Sequence, residues 1–214
     1  MGGTLNATWY SPIPSRTART ANGTTMGAYT AAYLPITIES GLVYQLTATI
    51  HKTAGNQAWA ALGFISAGPP AETIGRVYIS NWSDHRSTAA VRVYSTVNAI
   101  LGPPEFFAGP GESNKVPTDA WTNDMRGEQT VSIILDTTEE QWKIQAFVGD
   151  VPSSVYTYSV ADSKPENFRY VGFGGDASAN NIFKDFSLVV IPEPASAALT
   201  LLGGAVVLVR RRVR

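Results

Sequence analysis

The sequence predicts an all-β fold, a two-sheet antiparallel β-sandwich or jelly roll, followed by a C-terminal appendage. Three observations predict it. Several segments alternate apolar and polar residues with period two, the mark of half-buried strands. Stretches rich in Gly, Pro, Asn and Ser ("SAGPPAE", "GPPEFFAGPGESNKVP", "GGDASANN") punctuate them. Before Pro192 no stretch sustains the apolar spacing of a helix over several turns, and no internal repeat is visible.

The elements follow in chain order. The opening "GGTLNATWYSPIPS" reads as loop. "AAYLPITI" (31–38) predicts an edge strand, because Pro35 cannot donate to a ladder. In "GLVYQLTATIHKT" (41–53), Leu42, Tyr44, Leu46, Ala48 and Ile50 share one parity and predict a half-buried strand. "AGNQ" (54–57) supplies turn breakers, and "WAALGFIS" (59–66) is apolar enough for a central strand; together they predict a hairpin. Further strands are expected at "RVYIS" (76–80), "AAVRVYST" (89–96), "FRYVGFGG" (168–175) and "IFKDFSLVVI" (182–191). The strongest hairpin pairs "TVSIILDT" (130–137) with "WKIQAFVGD" (142–150) across the polar turn "TEEQ". Both arms keep period two, and a slip of one residue would expose the apolar set.

Composition narrows the function. The chain has 214 residues, 44% hydrophobic, enough for a real core, and only 15% charged. The absence of cysteine excludes disulfides, thiolate metal sites and a Cys nucleophile. The net charge of −1 hides an asymmetry: Arg210, Arg211, Arg212 and Arg214 close the chain, while residues 1–191 hold twelve Lys/Arg against sixteen Asp/Glu, a net of −4. Such a body lacks the basic face that nucleic-acid binding needs.

The end of the chain, "IPEPASAALTLLGGAVVLVRRRVR", has three parts: Pro192-Glu193-Pro194, a charge-free run over residues 195–209, and the arginine cluster. The run is shorter than the ~20 residues of an ordinary transmembrane helix. Snorkelling arginines and a thin bilayer make up the difference, and the positive-inside rule keeps the arginines cytoplasmic with the body outside. This tail resembles the PEP-CTERM sorting signal of bacterial exosortase substrates. The resemblance implies a membrane-embedded exosortase as partner, transient anchoring through a C-terminal hydrophobic helix, and delivery of the mature protein to the cell surface or extracellular matrix. The plain alternative is a C-terminal membrane anchor with a chance Pro-Glu-Pro. Either way the chain divides into a sandwich over residues 1–191 and a sorting or anchor segment over 192–214.

The body, in turn, resembles a concanavalin/laminin-G-like jelly roll at "LDTTEEQWKIQAFVGD", "RYVGFGG" and "FKDFSLVV". In such jelly rolls the first strand pairs with the last, and sorted proteins carry a signal peptide. No basic region followed by an apolar one opens this chain. The expectation is therefore a natural start upstream of Met1, with the partner of the last strand lost.

Chemistry in the body is sparse. Retaining jelly-roll glucanases carry Glu-x-Asp-x-Glu on one strand, and no such spacing occurs here. Glu139 and Glu140 are adjacent and sit in a turn. No catalytic residue is assigned, and the expected protein is not an enzyme. "NWSDHRS" (81–87) gathers Trp82, Asp84 and His85, an aromatic platform beside polar groups that suits a polysaccharide and equally suits a loop with one packed Trp. Trp121 lines a ligand face or anchors its loop. Asp119 and Asp124 in "PTDAWTND" and Asp176 in "GGDASANN" offer oxygens to Ca²⁺, as they also would to Asx turns. No other cofactor is implied. Three functions remain: a surface protein that binds glycans, a glycoside hydrolase of the same fold, and a structural matrix protein.

Overall fold

The computed structural model describes residues 11, 17–20, 23–26, 30–52, 59–66, 87–94, 102–175 and 181–191. These form fourteen strands. In order they are β1 (Thr17–Thr20), β2 (Gly23–Met26), β3 (Thr30–Pro35), β4 (Val43–Lys52), β5 (Trp59–Ile65), β6 (Ser87–Tyr94) and β7 (Glu105–Ala108). Then come β8 (Asn114–Val116), β9 (Glu128–Asp136), β10 (Lys143–Val148), β11 (Val151–Pro152), β12 (Tyr156–Thr157), β13 (Tyr170–Gly175) and β14 (Asn181–Ile191). One sheet of eight strands has the order β1-β2-β14-β4-β9-β10-β11, with β12 also on β10; the other, of six, runs β3-β13-β5-β6-β7-β8. All the pairs are antiparallel.

Period two does what it predicts. On β4, Tyr44, Leu46, Ala48 and Ile50 are buried, and the alternate residues are half-exposed. The β9–β10 hairpin sets Leu135 opposite Ile144, Ile133 opposite Ala146 and Val131 opposite Val148, all buried. Asp136 closes its turn: Oδ1 accepts the Thr138 N–H at 3.0 Å and the Thr138 hydroxyl at 2.6 Å. Thr137 ties this turn to the one before β4, with its hydroxyl 2.7 Å from the Leu42 carbonyl and accepting the Leu42 N–H at 3.0 Å.

Aromatic rings fill the space between the sheets. Phe168 meets Phe64, Trp142 and Tyr158 at centroid distances of 5.8, 5.5 and 5.3 Å. Tyr158 is fully buried and donates its hydroxyl to the Thr88 carbonyl at 2.9 Å. Burial drives its pKa upward, so it stays a neutral donor. Phe173 stacks on Phe183 at 4.5 Å.

Three sequence expectations need correction. The segments around "AGNQ" do not form a hairpin: β4 lies in the eight-stranded sheet between β14 and β9, while β5 lies in the other between β13 and β6. Turn signals show that the chain reverses but not which sheet receives it, and β5 is buried on both faces, as a central strand requires. The partner of the last strand is not lost; the loop expected over 2–15 lies outside the described residues apart from Ser11. β2 pairs with β14 at residues 181–183, so the last strand has a partner within this chain. The Thr-rich β1 and β2 carry no apolar alternation to reveal them. Third, "GPPEFFAGPGESNKVP" contains β7 and β8. β3 is an edge strand, as Pro35 implies. The strand expected at 76–80 and the C-terminal helix fall outside the described residues. No helix among those residues is long and apolar enough to cross a membrane.

Candidate functional site

The outer face of the six-stranded sheet carries the richest grouping of polar and aromatic side chains. Strand register assembles it. On β6, Arg92 and Tyr94 are two apart and point the same way. Trp59 of β5 stands opposite Tyr94, and Glu105 of β7 stands opposite Arg92. Phe107 lies two residues past Glu105, with Lys115 of β8 as its cross-strand partner. Toward β13 the same face is floored by small residues: Ala61 opposite Arg92, and Gly63 opposite Ala90 and Gly172.

Glu105 is the hub. Lys115 Nζ sits 2.6 Å from its Oε1, and the Tyr94 hydroxyl donates to its Oε2. The Arg92 guanidinium lies over two rings, 4.2 Å from the Phe107 centroid and 5.2 Å from that of Trp59. Arg92 is only 4% exposed, so these contacts replace part of the water its guanidinium gives up. Burial, then the hydrogen bond to Glu105, pushes the Tyr94 pKa up. Tyr94 is therefore a proton donor at any ordinary pH. The Glu105 side chain stays 20% exposed and that of Lys115 59%, so solvent reaches the carboxylate edge. A carboxylate has about four lone-pair sites, and the two donors leave room for incoming hydroxyls. Glu105 is also the only Asp or Glu on the six strands of this sheet.

A second cluster lies on the outer face of the eight-stranded sheet. His51 Nδ1 is 2.5 Å from Glu128 Oε2, and Lys184 Nζ is 3.3 Å from the same oxygen. The His51 contact, then Lys184, holds the Glu128 pKa below its ordinary value. This group is open to water and makes a surface ion pair, with modest energetic weight.

The residues singled out from sequence fare differently. Trp121 is buried and donates its indole N–H to the Val151 carbonyl at 3.0 Å, so it anchors its loop and presents no ligand face. Asp119 and Asp124 are exposed on either side of it. The described residues hold no group of three or more His, Cys, Asp or Glu able to take a metal ion. Trp82, Asp84, His85 and Asp176 lie outside the described residues, as do Pro192, Glu193, Pro194 and the four closing arginines. The Glu105 cluster was missed because β7 and β8, which bring Glu105, Phe107 and Lys115 beside the expected strands β5 and β6, lie in Gly/Pro-rich sequence. Two signals point to it in retrospect: a lone Arg between valines in "AAVRVY", and the alternation of "EFFA".

No protein-family model matches the sequence, and no curated protein matches it either. Solved structures do. Arcelin-5, a lectin-like defense protein from Phaseolus vulgaris, is 13% identical over 86% of this chain and 92% of its own, with a TM-score of 0.53. The fold is a lectin-like jelly roll. A lectin from Bauhinia forficata, solved in complex with GalNAc, gives a TM-score of 0.52 at 13% identity over 88% and 94% of the two chains. The carbohydrate recognition domain of Emp47p gives 0.52 at 10% identity over 88% and 89%. At such identities the shared property is the jelly roll itself.

Proposed function

We propose that this jelly roll is a non-catalytic, glycan-binding protein of the bacterial cell surface or matrix, delivered there by exosortase sorting. The observation that carries the binding half is the Glu105 cluster. A sugar presents vicinal hydroxyls on its edges and apolar C–H patches on its faces. Glu105 accepts hydroxyl protons in charge-assisted hydrogen bonds, each worth about 1.5–3 kcal/mol. Phe107 and Trp59 offer ring surface beside it, and Arg92 keeps both rings in register. Lys115 donates to ring or hydroxyl oxygens from the exposed rim. The Bauhinia lectin is solved in complex with GalNAc and the Emp47p domain is named for carbohydrate recognition, which supports this reading.

The non-catalytic half rests on the count of carboxylates. Glycosidic hydrolysis generally needs two, about 5–10 Å apart. The strands of this sheet supply one, already engaged by Tyr94 and Lys115. The sorting half rests on the order of Pro192-Glu193-Pro194, the apolar run over 195–209 and the arginine cluster, directly after the last strand.

Polysaccharide pull-down of the full chain, with a reducing-end assay on the same samples, tests the first two. Capture without release of reducing ends is expected. Release would establish a hydrolase, and neither capture nor release would leave a structural matrix role. For sorting, the intact mass of the surface protein decides: loss of the arginine tail is expected, and a retained Arg214 would mean a plain anchor.

A further inference from the structure

The sorting reading creates a problem of reach. Pro192 follows Ile191 directly, and Ile191 is still in the ladder opposite Val43. An extended residue spans about 3.3 Å, and no residue of sequence separates the Pro-Glu-Pro triplet from the strand. A membrane-embedded enzyme would have to work against the wall of the sheet.

Three observations show how this end of β14 differs from its start. Residues 181–183 are held on both sides, by β2 and β4. From Lys184 to the end, β4 is the only ladder partner among the described residues. Second, Val189 and Val190 are 48% and 49% exposed, whereas Phe183 is buried. Third, Leu188, Val189 and Val190 border an open surface depression of about 170 Å³ with Ile36, Thr37 and Tyr44. Lifting the last three residues therefore breaks the ladder to β4, their one ladder partner among the described residues, and frees two valines that are already about half exposed.

We propose that residues 189–191 are a releasable extension of the sorting tail, which lifts off β4 so that the processing enzyme can draw Pro192-Glu193-Pro194 away from the sandwich. The inference rests on the exosortase reading. Three freed residues add about 10 Å of reach. Release stops where β14 grips the core again: Leu188 packs against it, and Phe186 lies 5.6 Å from Phe173. The rate of processing then follows the opening of the strand end, a local event far cheaper than global unfolding.

The absence of cysteine makes the test clean. Val43→Cys with Ile191→Cys places one disulfide across a register pair. The full-length precursor, oxidised or reduced, is incubated with membranes of the exporting host, and loss of the tail is followed by intact mass. Wild-type chain and the reduced variant are expected to be processed alike, and the oxidised variant at least about tenfold more slowly. A six-residue Gly-Ser insertion after Ile191 should restore processing of the oxidised form by returning the lost reach. Equal rates for oxidised and wild-type chains would overturn the inference, as would failure of the insertion to rescue. If the wild-type chain itself keeps its tail, the sorting reading fails first and this inference falls with it.

Discussion

Glu105 holds a position that only a carboxylate fills: two donors approach it, and its edge remains open to solvent. Glu105→Gln keeps the shape but loses the charge, and should weaken glycan binding about tenfold or more, near 1.4 kcal/mol. Titration calorimetry with a bound polysaccharide checks this, with unchanged thermal unfolding as the control for folding. Asn181 presents the opposite case. It is fully buried, and among the described residues neither its Nδ2 nor its Oδ1 has a hydrogen-bond partner. An unsatisfied buried amide costs about 1–3 kcal/mol. Asn181→Leu, close in shape, should therefore raise stability in a urea titration; a loss would mean that the amide is satisfied after all. Gly63 is a third kind of residue. A Cβ there would land on the Ala89 carbonyl oxygen and press on Ala90. Gly63→Ala should cost about 1–3 kcal/mol by forcing β5 and β6 apart.

At the level of elements, the hairpin of β9 and β10 carries much of the core through Trp142 and the alternating residues opposite β4. Trp142 touches Phe168, the ring that joins both sheets. Trp142→Ala should destabilise by about 3–5 kcal/mol, measurable as a lower urea midpoint at constant slope. This hairpin was legible from sequence because its two arms keep strict period two and the turn between them is polar. β4 and β14 keep period two as well, whereas β6 and β13, buried on both faces, were legible as apolar runs between turn signals. β7 and β8 were not. They are four and three residues long and set among prolines and glycines, too short for an alternation to stand out. The partnership of β4 and β5 was misread because pairing depends on which sheet has a vacant edge, and that is a property of the whole topology. Trp121 shows the limit at a single position: its polar neighbours left a ligand face and a loop anchor both open, and the bond to a carbonyl thirty residues away decides for the anchor.

The whole molecule reads as a mildly acidic jelly roll followed by an arginine-rich C-terminal end. Its pH dependence follows from groups such as Glu128. The folded-state pKa of this carboxylate lies below its unfolded value of 4.5, so its ion pair contributes stability above that pH. The contribution is lost as pH falls through the lowered folded value. Glu128→Gln should thus differ from wild type at neutral pH and converge with it in acid. The difference should shrink in high salt, because the group is exposed. The central claim concerns where a glycan sits. Chemical-shift mapping with a captured oligosaccharide tests it directly. The account predicts saturable shifts at Glu105, Phe107, Lys115 and the Trp59 indole. Shifts confined to the His51–Glu128 face of the other sheet, or to the loop around Trp121, would contradict it.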